Sequence, residues 1–390
     1  MLAKPPLHPS REAQAEGVNR ANNELMFRPG RRCGCHRRAR SAFTLVEILV
    51  VMGIILLLMA LLVPSLSSAR SHSKAAACLT NLKSIGLAFE QYRNDNSGTY
   101  PPSYVFPTDP SGSWTPHKQD ANETYGVLHW SSLVFDGPHP DSSLFQCPDF
   151  PNGGAPRTNP GREVSDWEPG QIGGNGLTGP EDGALTDWQA PRMSYAANAA
   201  VIPPNRFTEE LSGGGRVNML VAEHVIRSPG MVILATEYLN DWKALSEPNG
   251  DGFVSESHRP IDVFANTASG YNEYTAPVSG GAYVHGTFPA DPSFGLLSAN
   301  ELRGKTGLLA VNPSVSGANA VGRSHPTSNR EYNDEYGGGA NFLFVDSHAE
   351  LLPTLKTLQM RQWGDRFYSI SGANEVVDPY DKSAVANNTN

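Results

Sequence analysis

The run from Phe43 to Val63, FTLVEILVVMGIILLLMALLV, contains 21 residues and one charge, Glu47. As a helix rising 1.5 Å per residue it spans roughly 31 Å, about the hydrocarbon thickness of a bilayer. Whatever the remainder folds into, this segment belongs in lipid or in an equally apolar bundle. Arg37, Arg38 and Arg40 precede it, with Arg31 and Arg32 behind them. By the positive-inside rule that cluster holds the N-terminus in the cytoplasm and sends the rest of the chain out. A secretory signal peptide has basic, apolar and small residues in the same order, but its apolar region is about 7–15 residues long. A plain signal anchor leaves Glu47 without a purpose, although an acid in such a segment costs roughly 2.5–3.5 kcal/mol on insertion scales.

Charge is divided accordingly. Residues 1–42 carry nine Lys and Arg against three Asp and Glu, a net of +6, so the overall −9 leaves −15 on residues 43–390. A basic leader and an acidic body agree with an exported head. They argue against nucleic-acid binding, which needs a basic surface on the ordered domain.

The stretch Ala42-Phe43-Thr44-Leu45-Val46-Glu47 resembles the prepilin cleavage and methylation signal of type IV pilins and type II secretion pseudopilins. That family has a small residue before the cut, Phe at the first mature position, Glu at the fifth and Pro at the twenty-second. Phe43, Glu47 and Pro64 fall on those positions, while Ala42 stands where the family prefers Gly. The resemblance implies removal of residues 1–42 by a separate prepilin peptidase and N-methylation at Phe43. It also implies assembly with other pilin-like subunits, the Glu47 carboxylate pairing with the Phe43 amine of a neighbour. Neither charge enters a dry bundle cheaply alone, so mutual neutralisation favours one register. Pro64 removes a backbone donor and is expected to bend the helix near the outer interface.

Beyond Pro64 the apolar residues Ala69, Ala76, Leu79, Leu82, Ile85, Phe89 and Tyr92 recur mostly at three- and four-residue intervals, with Arg70, Lys74, Lys83, Glu90 and Arg93 between them. This half of the helix is amphipathic and should lie on a globular head. Asn94-Asp95-Asn96-Ser97-Gly98 ends it and Pro101-Pro102 prevents its resumption. The stretch from Cys78 to Pro102 is also similar to the corresponding part of pseudopilin-like proteins with enlarged heads.

Cys33 and Cys35 lie in the leader, leaving Cys78 and Cys147 for the exported part. In an oxidising compartment these two either pair as a disulfide or remain buried thiols acting as small apolar side chains. Their spacing gives no metal signature, and no cofactor is expected. Asn249-Gly250-Asp251-Gly252 resembles half of a calcium loop but lacks the distal Glu, so it reads first as a turn. The pseudopilin resemblance is what implies calcium in the head.

After Tyr104 glycine and proline become frequent and apolar runs short. Gly126–Phe135, Met231–Tyr238 and Asn341–Val345 read as strands. Asn152–Gly183 and Asn266–Gly281 read as irregular surface loops, and the tail after Asp378 as disordered. Gly337-Gly338-Gly339 leads into an apolar strand, a two-residue turn and a returning strand with His348 and Glu350 on one face. This resembles the C-terminal motif of a large pilin-like family, in which nine residues separate a His from an Asp-Gly pair. Here the His position falls on Tyr336 and the Gly on Ser347, so the turn should be strained, with His325 upstream as a spatial substitute.

No HExxH, G-x-S-x-G or P-loop is present. The adjacent Glu223-His224 would point to opposite faces of a strand. The expectation is therefore an α+β, pilin-like fold with five parts. These are a leader (1–42), a transmembrane and assembly helix (43–66), its amphipathic continuation (67–96), a β-rich head (97–378) and a tail (379–390). The expected function is structural and not enzymatic: a minor or specialised subunit of a pseudopilus or surface fibre. It would wait as a single-pass protein in the cytoplasmic membrane, N-terminus inside and head outside. The alternative is a membrane-anchored binding module for adhesion or polysaccharide.

Overall fold

The computed structural model describes residues 44–115, 118–120, 122–135, 142–205, 220–266, 283–285, 296–304, 317–364, 366–367 and 374–377. The leader, Ala42, Phe43, the residues after 377 and nearly all of the expected loop 266–281 lie outside these.

The chain divides into two units, Met1–Met59 and Ala60–Asn390. Helix α1 (Leu45–Asp95) begins in the first and ends in the second. Residues 44–70 are exposed throughout. An 18-residue window of the helix reaches a mean hydropathy of 3.0 with none of it buried, so α1 is long and apolar enough to cross a membrane. The helix runs on through Pro64, where the Ser65 and Ser67 hydroxyls donate to the carbonyls of Leu62 and Pro64, each at 2.8 Å.

In the second unit α1 buries Ala75, Cys78, Leu82, Ile85, Gly86, Phe89 and Arg93. Those intervals of mostly three and four residues form one stripe, as a helix on a sheet requires. It differs from the expected stripe at both ends: Ala69 and Ala76 are exposed, and Arg93 is buried in place of the half-buried Tyr92. Arg93 can go in because Glu90 and Glu223 both pair with it and its guanidinium lies 5.1 Å from the centre of the Tyr100 ring. Glu223-His224 stands in a 3-10 turn (Glu223–Val225), and not a strand, which frees Glu223 to reach Arg93 at 2.7 Å.

The sheet under the helix has four antiparallel strands: β1 (Tyr195–Ala197), β2 (Ile233–Glu237), β3 (Ala340–Phe344) and β4 (Ala349–Leu352), in the order β4-β3-β2-β1. Side chains alternate across β3. Asn341 and Leu343 face α1, where Asn341 donates to the Ala75 carbonyl at 3.0 Å. Phe342 faces the other way, against Trp363 at 6.3 Å between ring centres. Gly86 lets helix and sheet close up: a Cβ there would stand 2.9 Å from Leu343 Cδ1.

Two expected elements differ. Gly126–Phe135 is a two-residue strand (Leu128–His129) followed by a short helix (Trp130–Val134), because the His129 ring accepts from the Ser131 amide at 3.2 Å and caps it. Trp130 then stacks on Phe89 of α1 at 5.1 Å. The stretch 152–183, expected as an irregular surface loop, is packed in part: Arg157, Thr158, Asn159 and Gln171 are buried, while residues 162–165 and 180–183 are exposed. Asp187 accepts from the amides of Asn159 and Val127, and Gln171 Nε2 donates to the Arg157 carbonyl at 2.7 Å. Side-chain-to-backbone bonds there supplement two short pairings, Ala155 and Pro156 with Met193 and Arg192, and Gln171 and Ile172 with Phe253 and Val254.

Candidate functional site

Two places carry groups that packing alone does not require. The first is the start of α1. The Thr44 amide and hydroxyl both donate to Glu47 Oε2 at 2.8 Å, and the Glu47 amide donates to Thr44 Oγ1 at 3.2 Å. This is a capping box: Thr-x-x-Glu satisfies donors that the first helical turn leaves open. The pattern was legible in the sequence, but Glu47 was read there only as an assembly charge. Ala42 and Phe43 lie outside the described residues, and Pro64 stands on the exposed, apolar part of α1.

The second is a buried polar centre in the second unit. Cys78 of α1 and Cys147 are joined, with Cα atoms 5.3 Å apart. Beside them Cys147 Sγ lies 3.8 Å from Glu237 Oε1 and 3.9 Å from His325 Nε2. Glu237 closes β2 and is held by the Asn341 amide at 2.8 Å and its Nδ2 at 3.0 Å. His325 is clamped between two acids: Nε2 is 2.9 Å from Glu237 Oε1 and Nδ1 is 3.0 Å from Asp149 Oδ2. The latter contact is at ion-pair distance but off the direction of a good hydrogen bond. Asp149 also pairs with Lys74 at 2.7 Å. Burial pulls the imidazole down, but the bond to Glu237 and the charges of Glu237 and Asp149 outweigh it and raise the His325 pKa.

The C-terminal motif explains how His325 arrives there. The backbone of His325 exchanges hydrogen bonds with Gly339 at 3.1 and 2.8 Å, and the residues between loop out through a short helix (Arg330–Tyr336). Tyr336, at the position counted from Asp346, is half-buried on that helix, while His325 is 1% exposed. His325 thus lies at the sheet edge beside Gly339, although it is 21 residues before Asp346 in the sequence. Gly338 permits the approach: at φ 131° its Cβ would meet the His325 carbonyl at 2.5 Å. The hairpin β3–β4 has a longer turn than the expected two residues. The Phe344 amide donates to the His348 carbonyl, and Ser347 takes φ 70° with its hydroxyl 2.6 Å from Glu90 Oε1. His348 lies flat on Phe344 at 4.2 Å and pairs with Asp346 at the surface. Asn249-Gly250-Asp251-Gly252 closes a β-hairpin in which Asn249 pairs with Gly252.

A family described as the prokaryotic N-terminal methylation motif matches residues 37–63. Type II secretion system core protein G of Pseudomonas aeruginosa is 40% identical over 60 residues, which is 15% of this chain and 42% of that protein. The chain is type IV pilin-like and pseudopilin-like. It spans less than half the length of the curated relative it matches, and no solved structure matches it. The pilin-like character therefore rests on the N-terminal segment and on the packing of a long helix against a β-rich head.

Proposed function

We propose that the chain is a structural pilin-like subunit, cut after Ala42 by a prepilin peptidase, N-methylated at Phe43 and assembled with other pilin-like subunits into a pseudopilus or surface fibre. The observation that carries this is the coincidence of three positions. Phe43, Glu47 and Pro64 keep the prepilin spacing within and just after a segment that matches the methylation motif and is long and apolar enough to span a bilayer. The chain is inserted once, leader inside, and its large head suits a minor or specialised position better than a repeating shaft. Catalysis belongs to the peptidase, with this chain as its substrate.

The test separates the two roles open to Glu47. Coexpression with a prepilin peptidase should leave Phe43 as the new N-terminus by intact mass. Glu47→Gln should still insert and be cut, but lose intersubunit crosslinking, since an unpaired amine in an apolar bundle costs several kcal/mol, roughly 3–5. Thr44→Val removes the capping hydroxyl and keeps the carboxylate, at about 1 kcal/mol of local helix stability, so its crosslinking should stay close to that of the unmutated chain. Equal losses in both variants would reduce Glu47 to a helix cap. An uncut chain would remove the processing step.

A second reading has one observation behind it. An open cleft of about 500 Å³ is lined by Asn152, Asp166, Trp167, Glu168 and Arg192, a mixture of an aromatic face and planar polar groups suited to a polar ligand. An anchored binding module would keep ligand binding in the Glu47→Gln variant.

A further inference from the structure

The buried centre contains more chemistry than a disulfide uses. Cys78, Cys147, Glu237 and His325 each offer one ligand atom, all four atoms lie within 4.8 Å of one another, and all four residues are buried. They come from four separate places in the chain: α1, the segment before residue 150, the end of β2, and the strand-like segment beside Gly339. Two sulfurs, an imidazole nitrogen and a carboxylate oxygen form a donor set that suits tetrahedral Zn²⁺. The surroundings match those of a metal ligand set as well. The second nitrogen of His325 lies 3.0 Å from the Asp149 carboxylate, a carboxylate neighbour of the kind that accompanies zinc-bound histidines. Glu237 is oriented by both the amide and the side chain of Asn341. A disulfide needs none of this, and packing alone would favour apolar groups here over a buried His between two acids.

We propose that in its dithiol state this centre is a Zn²⁺ site, with Cys78, Cys147, Glu237 and His325 as ligands, and that disulfide formation closes the same centre without metal. Binding replaces protons by the ion: Zn²⁺ displaces three protons to the solvent, one from each thiol and the one between His325 Nε2 and Glu237 Oε1, and those two atoms both turn to the metal. Oxidation reverses it by thiol–disulfide exchange. The two thiolates pass two electrons to a disulfide oxidant, which takes up two protons and leaves as a dithiol. Cys78 and Cys147 join, and Zn²⁺ is released. The site is thus a property of the chain before oxidation, when the thiols and no crosslink tie α1 to the head.

The full chain, purified in detergent, tests this. The leader carries Cys33-Gly34-Cys35-His36, a competing thiol site, so the background is Cys33→Ser/Cys35→Ser. The protein is reduced anaerobically with a phosphine, given ZnCl₂, desalted, and its zinc counted per chain. About one Zn²⁺ is expected on the reduced chain and none on the oxidised one. Co²⁺ in its place should give the intense ligand-field bands of a tetrahedral ion together with thiolate charge-transfer absorption. Asp149→Asn should weaken binding about 10–100-fold with the cobalt spectrum kept. Glu237→Gln keeps an acceptor for Asn341 and should weaken it further, while His325→Ala should abolish retention. The oxidised variants, checked by near-UV circular dichroism, report whether they fold. A reduced chain that retains no zinc, an octahedral cobalt spectrum, or retention unaffected by both Glu237→Gln and His325→Ala would each overturn the proposal.

Discussion

Reduction of the Cys78–Cys147 bond should cost the second unit a large share of its stability, and the cost can be worked from the chain. The two cysteines are 69 residues apart. In the chain-entropy treatment a crosslink closing such a loop removes about 15 cal/mol/K from the unfolded ensemble, or about 4.4 kcal/mol at 25 °C. Domains are stable by only about 5–15 kcal/mol, so this is roughly 30–90% of the whole. With a urea m-value of about 3 kcal/mol/M, the midpoint should fall by roughly 1.5 M. The assay is tryptophan fluorescence of the full chain in detergent, since Trp130 and Trp363 are fully buried. It is read before and after phosphine reduction, in the leader-serine background and with a chelator present. The chelator matters because any ion bound to the freed thiols would restore part of the loss by mass action. A midpoint that moves by less than about 0.3 M would refute the reasoning, because the unfolded reduced chain would then have gained almost none of the entropy that the crosslink is said to remove.

Four further outcomes are expected, at three positions. Gly86→Leu should lower the urea midpoint by the equivalent of about 1–3 kcal/mol, because side-chain volume would be forced between α1 and Leu343. Gly86→Ala should cost less than Gly86→Leu, because its Cβ, 2.9 Å from Leu343 Cδ1, requires only the end of that side chain to shift, and helix propensity offsets part of the cost. Asn341→Ala should cost about 1–3 kcal/mol in the same assay, because the Ala75 carbonyl and Glu237 both lose a buried donor. His258 is buried against Thr158 and Tyr104, and burial, with Arg259 adding to it, pulls its pKa from 6.5 to about 3. Between those values the unfolded chain binds a proton that the folded chain refuses. Stability is therefore complete above pH 6.5 and falls as pH drops, by up to about 1.4 kcal/mol per unit. Buried His129 is shifted the same way, so His258→Gln should reduce the slope of stability against pH without removing it. An unchanged slope would place His258 in contact with solvent.

The elements that repeat locally were legible. The helix to Asp95, the strand Ile233–Glu237 and the strand Ala340–Phe344 follow from apolar periodicity and short β-branched or aromatic runs. The Ser347 conformation was legible too, since a residue standing for the turn glycine has to take positive φ. What escaped was set by distance along the chain. Arg93 reads as surface until Glu223 arrives from 130 residues away. Trp130 reads as strand until His129 caps its helix and Phe89 receives its ring. The buried centre was the least legible, for its partners lie 69, 88 and 90 residues apart and no short motif joins them. The absence of metal spacing was a statement about neighbours in sequence only.

The contacts between the head-side half of α1 and the sheet show why that half needs polar groups at all. Leu82, Ile85 and Phe89 supply area, and burying three such side chains is worth several kcal/mol, roughly 5–9. Area discriminates poorly between registers, because sliding a helix by one turn over an apolar sheet exchanges one large side chain for another. Directional bonds do discriminate. Along α1 they come in two groups: Lys74 to Asp149, the Ala75 carbonyl to Asn341, the Cys78 bond to Cys147 and Asn81 to Tyr195 in the first, and Glu90 to Ser347 and Arg93 to Glu223 in the second. Each is satisfied in one register and broken in the next, and a buried group left unpaired costs about 1–3 kcal/mol. The apolar stripe holds the helix on the sheet, and the polar ladder decides where along it the helix stops.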